Sequence, residues 1–360
     1  MDLYGSQTYR GDLEKAADSM PFLDELRNAS VLVTGASGLI CSAVTDLLLW
    51  YNESRNAGIT VYAAGRSESG FRRRFRSYSE RNDLVFVPYD TAGAVEFDFY
   101  ADYIIHGAGN AHPAAISSEP VETMLDNFMG MRGLLEYARE VSAKRVLFIS
   151  SSEVYGKKNT LEPFSEEEYG YVDLLNPRAS YPVSKRAAET LCVSYGAEYG
   201  MDTVIVRPGH IYGPTASERD SRVSSVFAYD ALQGRDLVLK SDGSQIRSYC
   251  YVLDCASAII SVLLRGKSGE AYNISNPASV MTIREMAEGF AKAGNVNVRF
   301  ETPDSREKSA FNPMNNSSLR SDKLQGIGWR GLFDARTGTE HTIRIMAEAA
   351  NDAENTLKEI

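Results

Sequence analysis

Short apolar runs alternate with longer segments of helical periodicity between residues 30 and 208. The runs are rich in Val, Ile and Leu, a composition typical of strands that are covered on both faces. They lie at 31–33, 60–64, 84–87, 102–106, 145–149 and 204–207. The clearest helical segments lie at 39–50, 121–140 and 182–199. This alternation predicts an α/β fold built on a Rossmann-type, doubly wound parallel sheet.

The pattern changes after Pro208, where Gly and Pro are scattered among shorter segments. We interpret this later part as a smaller C-terminal substrate-binding domain that is interleaved with the sheet. The polar N-terminal segment has a short helical pattern around 13–26 and shows no recognisable chemistry. We predict an N-terminal extension at 1–29 and a Rossmann domain at 30–208. A later segment, at about 250–274, is predicted to complete the Rossmann domain. The substrate-binding domain is predicted to consist of 209–249 and 275–360.

The composition is that of an ordinary soluble globular protein, with 43% hydrophobic and 24% charged residues in a chain of 360. A net charge of −10 and a pI near 5.1 argue against a nucleic-acid-binding surface or an anionic-membrane patch. No apolar run approaches the roughly 18 residues of a membrane span, and residues 1–10 lack a signal-peptide pattern. The four cysteines show no paired metal-ligand spacing, so we predict buried reduced thiols, no metal site and a cytoplasmic location.

A glycine-rich turn, Thr34-Gly-Ala-Ser-Gly-Leu-Ile-Cys41, joins the first predicted strand to the helix that follows. Glycines allow a close approach of the backbone, and the free N–H groups and dipole of a helix N-terminus favour phosphate. The turn therefore predicts a site for the pyrophosphate of a dinucleotide. Cys41 stands where a third glycine is expected, which raises the question of how closely the helix packs there. The predicted contacts are Gly35, Ser37, Gly38, Leu39 and Ile40.

The residues after the next strands bear on the choice between NAD and NADP. NAD binders usually carry an acidic residue after the second strand, but this chain has Arg66, followed by arginines at 72–74. Arg66 suits a 2′-phosphate, which keeps NADP as an alternative to NAD, and a surface arginine is the other interpretation. Asp90, after the third strand, is a candidate contact to the adenine amino group. Ala108, after the fourth strand, is a further predicted cofactor contact.

Tyr181 and Lys185 are the main candidates for catalysis. Residues four apart lie on one face of a helix, so the phenol and the ammonium group are predicted to point into the same space. A nearby cation lowers the pKa of a phenol from its usual value of roughly 10, which makes tyrosine a usable base. The segment Ser150-Ser-Ser-Glu153 follows the fifth strand, at the edge where such sheets bind ligands. A serine there is a candidate to bind the reacting oxygen, and Glu153 is a candidate for further proton transfer.

These motifs, together with Arg207-Pro-Gly-His-Ile-Tyr-Gly-Pro214, resemble the extended short-chain dehydrogenase/reductases that act on nucleotide-activated sugars. The resemblance runs from about residue 30 to about residue 345. It implies a tightly held NAD that oxidises the sugar at C4, after which the weakened neighbouring bonds react and, in most members, the hydride returns. By the same resemblance Tyr181 is the base, Lys185 tunes it and binds the nicotinamide ribose, and Ser151 holds the 4-hydroxyl.

Three further stretches resemble the UDP-glucuronate decarboxylases among these enzymes. The resemblance implies that Glu153 is an assisting carboxylate and that Arg222 and Arg247 clamp the diphosphate, a role that suits arginine geometrically. Arg222 is alternatively a surface residue at a helix start. Ser152, a predicted substrate contact, stands where the 4,6-dehydratases have an aspartate that acts as general acid. The three stretches are 111–123, 221–234 and 243–252.

Three departures from these relatives fall in the predicted pocket. His210 and Ser225 stand where asparagine is common, and Ile116 stands where the decarboxylases tend to have tyrosine. His210 is therefore either a substrate contact or a buried structural histidine. The departures leave open which sugar and which nucleotide base the protein accepts.

We therefore expect an NAD-dependent enzyme that modifies a nucleotide sugar, with UDP-glucuronate decarboxylation as the first hypothesis. A 4-epimerase and then a 4,6-dehydratase are the alternatives, and an NAD-binding scaffold or sensor is the non-enzymatic one. The resemblance also implies a homodimer through helices 121–140 and 182–199, and no nucleic-acid or membrane partner is expected. The small and apolar residues considered for the dimer contact are Gly130, Leu134, Ala187, Ala188 and Leu191.

Overall fold

The structure, a computed structural model, describes residues 2–93, 95–303 and 314–358, with side chains as far as residue 351. Its strands are β1 (Ser30–Thr34), β2 (Thr60–Gly65), β3 (Leu84–Pro88), β4 (Tyr103–His106), β5 (Arg145–Ile149), β6 (Thr203–Pro208), β7 (His210–Tyr212), β8 (Leu237–Leu239), β9 (Ile246–Tyr251), β10 (Ala271–Ile274), β11 (Val280–Thr282), β12 (Val298–Phe300) and β13 (Asn316–Ser317).

The helices of the described ranges complete the list of elements. The α-helices are α1 (Gln7–Asp18), α2 (Leu39–Arg55), α3 (Glu68–Arg74), α4 (Pro113–Ser118), α5 (Pro120–Glu140), α6 (Ser180–Tyr199), α7 (Val223–Leu232), α8 (Val252–Arg265), α9 (Ile283–Gly294), α10 (Asp322–Gly326) and α11 (Ala335–Lys358). Short 3-10 helices lie at Leu23–Leu26, Arg76–Tyr78, Ser152–Tyr155, Pro177–Ala179 and Pro277–Ser279. None of these helices combines the length and the apolar character that crossing a membrane requires.

Seven strands form one parallel sheet in the order β10-β6-β5-β4-β1-β2-β3. The order grows in both directions from the central β1–β4 pair, which is the doubly wound arrangement. The predicted fold class is confirmed, and all six predicted strands are present. The apolar run of β6 is buried on both faces, since every residue of that strand is buried, whereas β3 at the edge of the sheet is only partly covered and leaves Val85 exposed.

The N-terminal extension differs from its prediction. The helical pattern suggested a helix around 13–26, whereas α1 spans Gln7–Asp18 and a separate 3-10 turn follows at Leu23–Leu26. The side chain of Ser6 accepts a hydrogen bond from the backbone of Tyr9 and so caps the helix earlier than its apolar pattern begins. Pro21 disfavours helical geometry at the residue before it, so the helix does not continue into the second segment.

A buried polar cluster joins the N-terminal extension to the Rossmann domain. The carboxylate of Asp46 in α2 accepts hydrogen bonds from the phenols of Tyr9 (2.6 Å) and Tyr78 (3.1 Å) and pairs with the guanidinium of Arg74. Asp46 is 0% exposed and Arg74 8% exposed, so this ion pair is almost fully removed from water. Each of the two charges needs the other as its partner, because a buried charge without a partner strongly destabilises the fold.

The later part of the chain alternates between two sheets. Strands β7, β9, β11 and β13 form a small sheet centred on β9. Strand β9 leads into the buried helix α8, which packs against α2, and β10 then joins the main sheet beside β6. The chain thus passes from the small sheet back to the main sheet, as expected for a substrate-binding region that is interleaved with the main sheet. The domain boundaries stay a prediction, and residues 304–313 of the predicted substrate-binding domain lie outside the described residues.

Replacing Asp46 with alanine should lower the free energy of unfolding by about 3–5 kcal/mol, because it leaves the Arg74 guanidinium buried without its partner. Urea unfolding followed by circular dichroism measures the change. The matched control is Glu68→Ala, which breaks the exposed ion pair with Arg72 and should cost no more than about 1 kcal/mol. Similar effects of the two substitutions would contradict the assigned role of Asp46.

Candidate active site

A cavity of about 800 Å³ lies at the carboxyl edge of the main sheet. Its walls come from the glycine turn, from Ser150 to Glu153, from the start of α6, from the residues before α7 and from strands β7 and β9. The cavity therefore lies between the main sheet and the small sheet. This is the place where open parallel sheets bind ligands, since the loops that leave the strands meet there.

Tyr181 and Lys185 both line the cavity and are buried, as their spacing on α6 predicts. The Lys185 ammonium lies 5.9 Å from the centre of the Tyr181 ring and donates a hydrogen bond to the Ile149 carbonyl at 2.9 Å. Burial lowers the pKa of Lys185 to about 8.

The expected lowering of the tyrosine pKa is not what the structure gives. Burial, reinforced by the negative charge of Glu153, raises the pKa of Tyr181 to about 12. Ser151, Arg222 and Arg178 oppose the shift, whereas Lys185, whose ammonium group donates its hydrogen bond to the Ile149 backbone, is not among its main causes. Both side chains nevertheless line the cavity from the first turns of α6, where their spacing places them.

The serine segment turns directly into the cavity after β5. Ser151 caps the short helix Ser152–Tyr155 by accepting a hydrogen bond from the Glu153 backbone at 3.1 Å, and its hydroxyl also bonds the Tyr181 phenol. The Glu153 carboxylate accepts a hydrogen bond from Arg178 at 2.8 Å. Ser151, Ser152, Glu153 and Tyr181 thus lie in one wall of the cavity.

The glycine turn has the geometry that its sequence predicts. Gly35 has a φ of +68°, and a Cβ on it would lie 3.0 Å from the backbone of Ala108. Gly38 caps α2 without a side-chain acceptor, which leaves backbone N–H groups of the first turn available to phosphate. Ser37, Leu39 and Ile40 line the cavity with both glycines. Ala108 supports the turn through its amide, which donates to the Thr34 hydroxyl at 3.2 Å, and does not itself line the cavity.

Cys41 packs without opening a gap between α2 and the sheet. Its side chain is 3% exposed and faces Gly107, which follows β4. A Cβ on Gly107 would lie 2.3 Å from the Cys41 sulfur, so the thiol occupies the space that a larger residue at 107 would need. The glycine missing from the turn is therefore compensated by a glycine opposite it. All four cysteines are buried and free, as predicted.

Arg66 and Asp90 lie outside the cavity. Both are exposed and follow the neighbouring strands β2 and β3 at the same edge of the sheet. Asp90 accepts a hydrogen bond from the backbone of Ala92 at 3.2 Å, and Arg66 has no ion-pair partner among the described residues. Their predicted contacts to the adenosine half of the cofactor stay a prediction.

The two arginines predicted to contact the substrate, Arg247 and Arg222, differ in their partners. Arg247 is 3% exposed, bonds the carbonyl of Ile246 and has no carboxylate partner among the described residues. Arg222 lines the cavity too, but Nε and one terminal nitrogen of its guanidinium donate hydrogen bonds to the carboxylate of Asp220. The pKa of Asp220 is lowered despite its burial, because His112 and Arg222 donate to it. The predicted diphosphate clamp by Arg222 and Arg247 stays a prediction, and of the two only Arg247 lacks a carboxylate partner among the described residues.

Two of the three sequence departures lie away from the cavity. Ser225 and Ile116 are buried but do not line it. His210 does line it, and burial, followed by the charges of Arg247 and Arg222, lowers the pKa of His210 to about 3. A neutral imidazole therefore faces the cavity.

Unpartnered polar atoms in the cavity wall show what kind of ligand fits. Four buried atoms that line it have no hydrogen-bond partner within the described part of the chain: Ser150 Oγ, Arg178 Nε, His210 Nδ1 and Tyr249 OH. Buried polar groups are normally satisfied, so these atoms indicate a polar ligand. Five cationic side chains and only two carboxylates line the cavity, which favours an anion although the whole chain is acidic. A dinucleotide and a nucleotide sugar both meet these requirements.

Three residues of the site were missed by sequence reasoning. Arg178 lies three residues before Tyr181 and Tyr249 lies two residues after Arg247, so helical and strand periodicity would have found both. Asp220 belongs to no motif, and nothing in the sequence separates it from an ordinary loop aspartate.

A family model and curated proteins match most of this chain. The model of the NAD dependent epimerase/dehydratase family matches residues 31–275. UDP-glucuronic acid decarboxylase 5 of Arabidopsis thaliana is 31% identical over 311 residues, which is 86% of this chain and 87% of that protein. UDP-glucuronic acid decarboxylase 1 of Xenopus tropicalis is 28% identical over 328 residues, which is 90% of this chain and 74% of that protein.

Solved structures agree on the fold. The UDP-glucose 4-epimerase of Thermotoga maritima has a TM-score of 0.75 at 21% identity and covers 89% of this chain and 99% of its own. The dTDP-glucose 4,6-dehydratase DesIV of Streptomyces venezuelae, solved with NAD, has a TM-score of 0.77 at 24% identity and covers 89% of this chain and 98% of its own. At these identities the likeness concerns the fold.

Replacing Gly107 with alanine should lower both the melting temperature and the affinity for NAD, because the new methyl group would collide with the Cys41 sulfur. The double variant Cys41→Gly with Gly107→Ala should recover most of the loss, since removal of the thiol frees the space. Thermal unfolding and calorimetric titration with NAD measure both effects. Additive losses in the double variant would refute the proposed compensation.

Proposed function

The chain belongs to the NAD dependent epimerase/dehydratase family, which confirms the expected family and cofactor, and we propose that it decarboxylates UDP-glucuronate. The observation that carries this proposal is the Glu153 carboxylate, paired with Arg178 in the cavity wall and near enough to Tyr181 to raise its pKa. The matching curated proteins carry the name of this activity.

The residues around the cavity suit NAD in an extended pose. The backbone of the turn from Gly35 to Gly38 would hold the pyrophosphate, and Lys185 would bind the nicotinamide ribose. Arg66 and Asp90 are the proposed contacts at the adenosine end. When bound, NAD supplies the acceptor for the hydride that leaves C4 of the sugar.

Tyr181 is the proposed proton acceptor for the 4-hydroxyl, and Ser151 would hold the same hydroxyl through the oxygen that now bonds the phenol. Because burial holds the proton on Tyr181, its basicity in the reaction depends on cations that face it. Arg178 and Arg222 already oppose the rise in its pKa, and the positive charge of the bound cofactor acts in the same direction.

The remaining polar groups of the cavity suit a uronic acid as the sugar of the substrate. A ketone at C4 is β to the sugar carboxylate, so it accepts the electron pair as carbon dioxide leaves. The enolate that remains must take up a proton at C5, and C4 must regain the hydride it gave up, so that the product differs from the substrate by carbon dioxide alone. Glu153 is the proposed group for the proton transfer to C5, and the pairing with Arg178 fixes its orientation. Arg247 and Ser152 are proposed to contact the substrate. Arg222 uses Nε and Nη2 to bind Asp220, and its Nη1 is proposed to contact the phosphate.

Incubation with UDP-glucuronate should release carbon dioxide and give a product lighter by that mass, measured by mass spectrometry. Tyr181→Phe should lose about 10²–10⁴-fold in rate, because the proton acceptor is removed. The control is Tyr171→Phe, since Tyr171 is 70% exposed and lies outside the cavity, and it should keep the wild-type rate.

The same incubation, repeated with other nucleotide sugars, distinguishes a decarboxylase from an epimerase, a dehydratase and a non-enzymatic NAD-binding protein. An unchanged mass with a new retention time identifies an epimerase, and loss of water identifies a dehydratase. Binding of NAD without any turnover identifies a scaffold or sensor. Full activity of Tyr181→Phe would contradict the assignment of the base in any of these enzymes.

We also propose a homodimer through α5 and α6, which pack against each other in the protomer. Leu134 and Ala188, considered for the contact from the sequence, are fully buried inside the protomer, so they are not available to a partner. The exposed apolar side chains of these helices are the better candidates: Val121, Met124, Leu125, Met129 and Val193. A cytoplasmic location is proposed with it, since all four thiols are free.

Replacing Leu125 with arginine should convert the dimer to a monomer, because it puts a charge into the proposed apolar contact. Size-exclusion chromatography with light scattering measures the mass. Leu175→Arg is the control, since Leu175 is 95% exposed and lies outside both helices. A wild-type protein that is monomeric at micromolar concentration would contradict the proposal.

A further inference from the structure

Three polar side chains lie together on the face of the small sheet that borders the cavity. The parallel pairing of β7 with β9 places His210 opposite Tyr249, with ring centroids 5.8 Å apart. Arg247 lies two residues before Tyr249, so the alternation of side chains in a strand puts both on one face. All three line the cavity.

Two of the three have polar atoms that nothing in the described residues satisfies. Tyr249 is 1% exposed, yet its hydroxyl has no hydrogen-bond partner, and neither has Nδ1 of His210. A phenylalanine would fill the same space without burying a polar atom. The tyrosine hydroxyl therefore indicates a contact to a ligand that enters the cavity.

The charge on this face identifies the complementary group. Arg247 is a buried cation without a carboxylate partner among the described residues, and a buried charge requires one. His210 is neutral beside it, so its imidazole has one N–H to donate. A cation flanked by two neutral donors matches an anion with several oxygens better than it matches a sugar hydroxyl.

We propose that Tyr249 and His210 are specificity-determining residues that share, with Arg247, one anionic oxygen group of the nucleotide-sugar substrate. That group is either the β-phosphate or a carboxylate at C5 of the sugar. The inference rests on the proposed function for the class of substrate, and it adds two contacts to that of Arg247.

Calorimetric titration of the NAD-loaded protein with UDP, UDP-glucose and UDP-glucuronate tests the proposal without requiring turnover. Tyr249→Phe should weaken binding of at least UDP-glucuronate by about tenfold or more, since it removes a donor to a charged group. Tyr212→Phe is the matched control, because the Tyr212 hydroxyl is also buried and unpartnered but lies outside the cavity. His210→Phe should give a loss of the same pattern as Tyr249→Phe.

The three ligands separate the outcomes. If Tyr249→Phe loses affinity equally for all three ligands, the group that the residues bind is the β-phosphate. If it loses affinity only for UDP-glucuronate, that group is the carboxylate. A loss of affinity for both nucleotide sugars but not for UDP points to a contact with a neutral hydroxyl and contradicts the proposed contact with an anionic group. Equal affinities of Tyr249→Phe and Tyr212→Phe for each ligand would also contradict the proposal. No binding of any ligand to the wild type overturns this inference and the proposed function together. Binding of UDP-glucuronate without release of carbon dioxide contradicts the proposed function alone.

Discussion

The parallel register of the main sheet is the constraint on which the site depends. Strands β6, β5, β4 and β1 are neighbours and end at the same edge. The residue that directly follows each of them lines the cavity: Gly209, Ser150, Gly107 and Gly35. Three of these four are glycines, because the chain turns there in little space. At Gly209 a Cβ would lie 2.5 Å from the Ser248 carbonyl, and at Gly35 the positive φ adds a second restriction.

Burial at this edge decides the electrostatics of the site. Both carboxylates of the cavity wall are neutralised by arginines, Glu153 by Arg178 and Asp220 by Arg222. Such pairs offset the cost of desolvation and leave little net attraction for a ligand. Arg247 has no carboxylate partner within the described part of the chain, which is why we propose that a bound anion offsets the cost of burying its charge. The local excess of positive charge is therefore concentrated where the substrate is proposed to lie, although the chain carries a net charge of −10.

Periodicity and turn chemistry were enough to predict the main sheet and the position of Tyr181, Lys185 and the glycine turn. These features depend on residues near in sequence, which local spacing describes. The state of the tyrosine did not follow from spacing, because its pKa depends on burial and on Glu153, which another loop brings to it. The pairing of Asp220 with Arg222 was missed for a related reason, since either side chain had many partners to choose from.

Strand β9 connects the site to the N-terminal extension, whose role the sequence left open. The face of β9 that carries Arg247 and Tyr249 into the cavity continues to Tyr251, whose phenol donates to Asp12 of α1 at 2.9 Å. Asp12 also bonds Nδ1 of His341 in α11, so one buried carboxylate ties three elements that are far apart in sequence. Because strand residues are held in register, a shift of Tyr251 would displace the two cavity-lining residues of the same strand with it. The extension is thus hydrogen-bonded to the same strand that carries Arg247 and Tyr249 into the cavity, so we infer that it helps to hold that strand in place.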